Sequence, residues 1–198
     1  MISRFGERLS SYGLPPRERL IQAIYRLKTQ RRKLDDHLER LRGYDKALLD
    51  RCVKARMVHD ESRAIMYANE CAEVRRMAKL TLASQLALEK AILRLETVKE
   101  FGDIASAMNH IPQVIQMIRS QIAGIMPETS YELNDICAAL EDIALQTGEA
   151  IADTSLQPSS EEAQTILKEA NIIAEQEVKE RFPELPVRGL EAEQEDGG

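Results

Sequence analysis

Residues able to carry acid–base or metal chemistry are few in this 198-residue chain, and they are scattered. His37, His59 and His110 lie far apart, and none has a second ligand at the short spacing a zinc site needs. Each is expected to be an exposed helix or turn residue. Cys52, Cys71 and Cys137 are odd in number, widely separated and set in helical patterns, which predicts free thiols of a reducing compartment and no disulfide framework. No Gly-rich phosphate loop with its Lys occurs, and no nucleophile elbow. The Glu-rich runs lack the inward Glu-x-x-His pairs of a di-iron bundle. The expectation is therefore a protein that is not an enzyme and uses no cofactor or metal.

The remaining chemistry is charge. Residues 1–58 hold 15 Lys/Arg against 7 Asp/Glu, whereas residues 127–198 hold 4 against 18. A basic front and an acidic rear imply an anionic partner for the front, or a rear that folds onto it. Arg19, Arg26, Lys33, Arg40 and Lys54 share one heptad position, with Lys28 and Arg32 nearby. Such a row would draw anionic lipid at ~1 kcal/mol per charge; the plainer reading is a solvated helix face. Ahead of it, Ile2, Phe5, Leu9 and Tyr12 fall at helical spacing beside Arg4 and Arg8. That segment fits either a short interfacial helix, apolar side down, or an arm that packs on its own domain. Nucleic acid is not expected. Aromatic interleaving is limited to Tyr25 and Tyr44, and the acidic rear would repel a polyanion.

These residues need long elements to position them. The composition is 43% hydrophobic, 30% charged and 4% aromatic with no Trp, which suits long helices packed side by side. After Gly13 and Pro15-Pro16, Leu20, Leu27, Leu34, Leu41 and Leu48 recur every seventh residue, continued by Ala55. A second row runs Ile24, Arg31, Leu38, Asp45, Cys52, with two charged interruptions. A helix from Pro16 to Met57 is predicted, roughly 60 Å long at 1.5 Å per residue. His59-Asp60-Glu61-Ser62 reads as the turn into an antiparallel partner carrying Val74, Met77, Thr81, Ser84, Leu88, Ala91, Leu95 and Val98. Leu80, Leu82, Leu86, Ile92 and Leu93 make that partner more apolar than a hairpin needs.

Phe101-Gly102 marks a break or hinge, followed by a short helix through Met108. Pro112 starts a segment bearing Val114, Ile115, Met117, Ile118 and Ile122. Thr129 and Glu132 form a candidate capping box for a helix with Leu133, Ile136, Leu140 and Ile143 on one side, stopping at Gly148. This helix can fold back on the hairpin and inhibit assembly, or build a filament contact; both readings stand. Residues 152–160 read as a linker, and Ser159 with Glu162 opens a last helix to about Arg181. Phe182-Pro183-Glu184-Leu185-Pro186-Val187 cannot be helical, with two prolines in four residues, and an acidic tail follows. No stretch approaches the roughly 18 uninterrupted apolar residues of a membrane span.

A basic first helix, a long antiparallel second, a weak break, shorter helices and an acidic tail together resemble the ESCRT-III family, most closely its archaeal cell-division branch, the CdvB group. The likeness covers residues 14–187. Arg19–Arg56 matches the basic first helix and Ala64–Val98 the second; residues 101–108 look like the third, and Tyr131–Ile143 the fourth or fifth. It implies an all-α fold: a long antiparallel hairpin with shorter helices, extended in the polymer. It divides the chain into an amphipathic segment (1–13), a helical core (14–148) and a linker, regulatory helix and tail (149–198). No winged-helix domain follows Val187, as in the shorter paralogues. The implied function is a subunit that polymerises with itself and its paralogues on anionic membrane and drives constriction or scission in division or budding. The implied place is cytoplasmic, on the inner face of the cell membrane at the division site. Phe182, Pro183, Leu185, Pro186 and Val187 resemble the family's motif for the MIT domain of a remodelling AAA ATPase, CdvC in archaea. A cytosolic coiled-coil scaffold and a nucleic-acid-binding helical protein are the alternatives.

Overall fold

The computed structural model describes residues 14–101, 110–146 and 161–183. Its elements, all helical, are α1 (Pro16–Met57), α2 (Glu61–Phe101), α3 (Ile111–Ile122), α4 (Pro127–Gln146) and α5 (Glu161–Arg181). The α1 helix starts where proline is harmless, in the first turn whose N–H groups have no helical acceptor. It ends in a two-bond lock: the Asp60 N–H donates to the Ala55 carbonyl and the His59 N–H to the Arg56 carbonyl. This closure places His59 in the left-handed region at φ 57°. Asp60 then caps α2, its carboxylate accepting from the Arg63 N–H at 3.1 Å. The turn thus satisfies terminal backbone groups of both long helices and reverses the chain.

The heptad row of α1 lies against α2 as expected: Leu20, Leu27, Leu34, Leu41 and Ala55 are buried, and Leu48 half-buried. The two charged interruptions are absorbed differently. Arg31 reaches the seam edge near Glu89, whereas Asp45 is enclosed and chelated by Arg75 of α2.

The core thins from one end of the hairpin to the other. At the Leu20 end all five described helices contribute, with Leu88, Ile92 and Leu95 meeting Ile115, Ile118, Leu133, Ile136, Ile166 and Leu167. Midway, Leu38, Leu41, Val74, Ala78, Leu82 and Ala83 are joined from the rear by Ala174, Phe182 and the half-buried Val178. At the turn, Cys52, Ala55, Ala64 and Ala68 are left, with Tyr67 half-buried beside them. Helices α3 and α5 cover much of the surplus apolar surface of α2, but Leu93 is 58% exposed, and near the turn Ile65 and Met66 are exposed as well.

Helix α4 begins earlier than the capping-box spacing suggested. Pro127 occupies the first turn, and the Ser130 N–H already bonds the Met126 carbonyl. Thr129 is consequently inside the helix and buried, and Glu132 is left to face α1. The short helix expected through Met108, the linker and the Ser159 cap fall outside the described residues.

Gly43 sits in the interior of α1, with nothing within 4 Å of the position a Cβ would take. Gly43→Ala should stabilise the protein by about 0.5–1 kcal/mol, the ordinary gain when helix-interior glycine gains a methyl. A urea titration showing a lower midpoint for the variant would contradict this placement.

Candidate functional site

The cationic row of α1 divides in two. Arg19, 8% exposed, pairs with Asp142 of α4, and Arg26 pairs with Glu132 one face along, at 3.2 Å. Lys28 turns instead to Glu96 of α2. Arg32, Lys33 and Arg40 are exposed and form no ion pair among the described residues. Lys33 and Arg40 border an open groove of about 600 Å³ between α1 and the turn from α3 to α4. Asp36, Glu39 and Glu128 line the same groove, so its charge is mixed. Burial, with Arg40 adding to it, lowers the pKa of the His37 imidazole there.

Between the paired arginines, α4 delivers its apolar face. Leu133, Ile136, Leu140 and Ile143 are fully buried, wedged among α1, α2 and α3 side chains. Glu132 and Asp142 of the same helix lie at the basic front. One helix thus covers apolar surface and neutralises part of the cationic row.

Helix α5 runs antiparallel along α2. Its inner face is mostly small, with Ala163, Ile166, Leu167, Ala170 and Ala174 buried. Three acids meet three bases of α2: Glu162 with Arg94, Glu169 with Lys90, and Glu175 with Lys79 at 2.9 Å. His110 lies 3.1 Å from Glu162. These pairs lie at the solvent edge, where each contributes little and salt screens it. Beyond α5, Phe182 is 7% exposed and its ring stacks over the Arg75 guanidinium, 5.6 Å away. Pro183 is exposed.

Several expected site residues lie outside the described residues: Ile2, Arg4, Phe5, Arg8 and Leu9 of the amphipathic segment, Gly102 of the hinge, and Leu185, Pro186 and Val187 of the tail motif. Phe101 is the last residue of α2. The α2–α5 ion pairs and the Asp45–Arg75–Phe182 cluster were not foreseen. Their one sequence signal was Asp45 itself, a charge in an apolar row that demands a cation across the hairpin.

The three cysteines are free and buried. Burial raises the Cys71 pKa to about 11 with help from Asp45, and that of Cys137 to about 12 with help from Glu141. Among the described residues no cluster of three or more His, Cys, Asp or Glu could hold a metal ion, and no helix is long and apolar enough to cross a membrane.

A long antiparallel hairpin with a basic first helix, on which shorter acidic helices close, is an architecture of ESCRT-III type. No family profile and no solved structure matches the chain. It is 41% identical over 181 residues to cell division protein B1 of Sulfolobus acidocaldarius, covering 91% of this chain and 85% of that protein. It is 34% identical over 163 residues to cell division protein B of the same organism, covering 81% of this chain and 62% of that protein. The chain belongs to the cell division protein B family, CdvB.

Glu175 gives the docking of α5 a pH signature. Hydrogen bonds from Lys79 and Lys179 depress its pKa from 4.5 to about 2. A carboxylate easier to ionise when folded stabilises the fold fully above the ordinary value, and that contribution fades as pH falls towards the depressed one. Urea titrations across that acid window should show a shallower loss of stability for Glu175→Gln than for the wild type. Superimposable acid limbs would show that the pair contributes nothing.

Proposed function

We propose that this chain is a non-catalytic ESCRT-III subunit of cell division. In this reading it polymerises with copies of itself and its paralogues on anionic membrane, at the inner face of the division site, and a separate AAA ATPase remodels the polymer. Family membership supports the division role, because both relatives are named as cell division proteins. The observation that carries the membrane and polymer reading is the arrangement of α4. Its Glu132 and Asp142 hold Arg26 and Arg19, while its Leu133, Ile136, Leu140 and Ile143 fill the core. Surfaces suited to lipid and to a second subunit are thus stored against each other in a closed bundle.

Opening exchanges these intramolecular contacts for equivalent ones with membrane and neighbour, so the two states need differ by only a few kcal/mol. Repetition of such contacts from copy to copy does not close on itself and builds a filament. The exposed Arg32, Lys33 and Arg40 offer a first, salt-sensitive contact to lipid before opening. In the same reading the tail from Phe182 onward supplies the extended strand that the ATPase's MIT domain takes.

Reversing the α4 acids separates this reading from its rivals. Glu132→Arg with Asp142→Arg sets like charges against Arg26 and Arg19, and should raise co-sedimentation with anionic vesicles several-fold at equal protein concentration. Neutral vesicles should recover little of either protein. No sedimentation with anionic vesicles by either protein would favour a scaffold that touches no membrane. A DNA mobility shift stronger than the vesicle binding would favour a nucleic-acid role.

A further inference from the structure

Asp45 and Arg75 form a buried ion pair halfway along the hairpin. The Asp45 side chain is 3% exposed and that of Arg75 16%. The guanidinium chelates the carboxylate through Nε at 2.7 Å and Nη2 at 3.1 Å. Around it the seam is apolar or weakly polar, with Leu38, Leu41, Val74 and Ala78 in the adjoining cluster and the buried Cys71 thiol facing the Asp45 carbonyl. Phe182 joins that cluster from the end of α5, where its N–H still bonds the Val178 carbonyl and its ring sits over Arg75. Bidentate pairing satisfies part of the hydrogen-bonding capacity of both groups, yet keeping two charges dry carries a desolvation cost relative to water. The closed form pays this wherever α5 and its terminal phenylalanine exclude solvent.

We propose that Asp45, Arg75 and Phe182 form a release device: a buried ion pair under the end of α5 that gains hydration when Phe182 withdraws, and so biases the tail towards opening. The hairpin could have been sealed at this point with two apolar residues, and α5 would then dock more tightly. The charge pair instead keeps the docked tail within reach of the open state while fixing the hairpin register, since a slip of one turn would leave Asp45 and Arg75 without each other. A protein that takes the Phe182 side chain must undock the end of α5, so tail capture and hydration of the pair are one event. Only this last consequence rests on the proposed role of residues 182–187 as a strand for a partner.

Amide hydrogen exchange of the full chain, without partner or membrane, tests the device. Phe182→Ala should speed exchange in α5 by about tenfold, because its cover over the pair is lost. Asp45→Asn leaves Arg75 charged and unpaired beneath Phe182, and should speed α5 exchange by at least about tenfold. Asp45→Leu with Arg75→Met removes both charges and should slow α5 exchange by about threefold or more. A pair that served only hairpin packing would leave α5 exchange untouched in the apolar double variant, and that result overturns the proposal. Faster α5 exchange in the double variant overturns it equally. If Asp45→Asn unfolds the hairpin, exchange in α1 and α2 reports it, and the double variant decides alone. Because no partner is present, failure here leaves the proposed ATPase strand standing. Loss of MIT-domain binding by the Leu185→Asp variant would instead support that strand without bearing on the device.

Discussion

Helix α2 has more apolar surface than a single antiparallel partner can cover, and the rest of the molecule follows from that excess. The hairpin seam uses Val74, Leu88, Ala91, Leu95 and Val98, yet Leu82, Ala83, Ala87 and Ile92 also need burial. Among the described residues the cover comes from the rear half: α3 and α5 lie along α2, and α4 bridges α3 to α1. The supply does not reach the turn end, where Cys52, Ala55, Ala64 and Ala68 form a small core and Val53, Met57, Val58, Ile65 and Met66 stay exposed. A chain built this way has a tightly packed base, a thin tip and a cover made of three shorter helices.

Charge decides how that cover is held. Full burial of Leu133, Ile136, Leu140 and Ile143 is favourable by about 1.5–3 kcal/mol for each side chain, an amount a neighbouring subunit could match. The acids at the rims of α4 and α5 then select where each cover lies: Glu132 and Asp142 on α1, Glu162, Glu169 and Glu175 on α2. Most of these pairs are exposed enough to be screened, so they orient more than they stabilise. The exception is Arg19, which α4 buries; Arg75, paired with Asp45 inside the hairpin, lies under the Phe182 ring. Both are bases of the hairpin that residues of the rear half cover.

Much of this was legible in the sequence because helical periodicity is local. The Leu20-to-Ala55 row, the turn at His59 and Asp60, the apolar stripe of α4 and the end of α5 at Arg181 all follow from spacing and turn chemistry. The charge split also pointed to a rear folded on the front, and four of the residues named for that contact are fully buried. What escaped depends on register between distant segments. Whether Asp45 marks a flaw in the seam or a partner of Arg75 is settled only by how α1 and α2 align. The burial of Phe182 depends on the length and direction of α5. The start of α4 was misjudged for a local reason: a Thr-x-x-Glu spacing was read as a cap although Pro127, two residues earlier, already favoured a first turn. Seven of the bases named for membrane binding lie on α1, and the structure separates them as pattern alone could not: Arg19, Arg26 and Lys28 are engaged within the chain, while Arg32, Lys33, Arg40 and Lys54 face solvent.

The central claim is that α4 leaves the α1 arginines when the protein meets an anionic surface. A pulsed-EPR distance between a spin label on exposed Gln22 of α1 and another on exposed Gln146 at the end of α4 measures it directly, since Cys52, Cys71 and Cys137 are buried and can be left in place or replaced by alanine. In solution the account predicts one short, narrow distribution set by the Arg19–Asp142 contact. On anionic vesicles it predicts loss of that peak and a broader population at longer distance. The same short, narrow peak in protein fully bound to vesicles would contradict the account, because the membrane would then be recognised by the closed bundle.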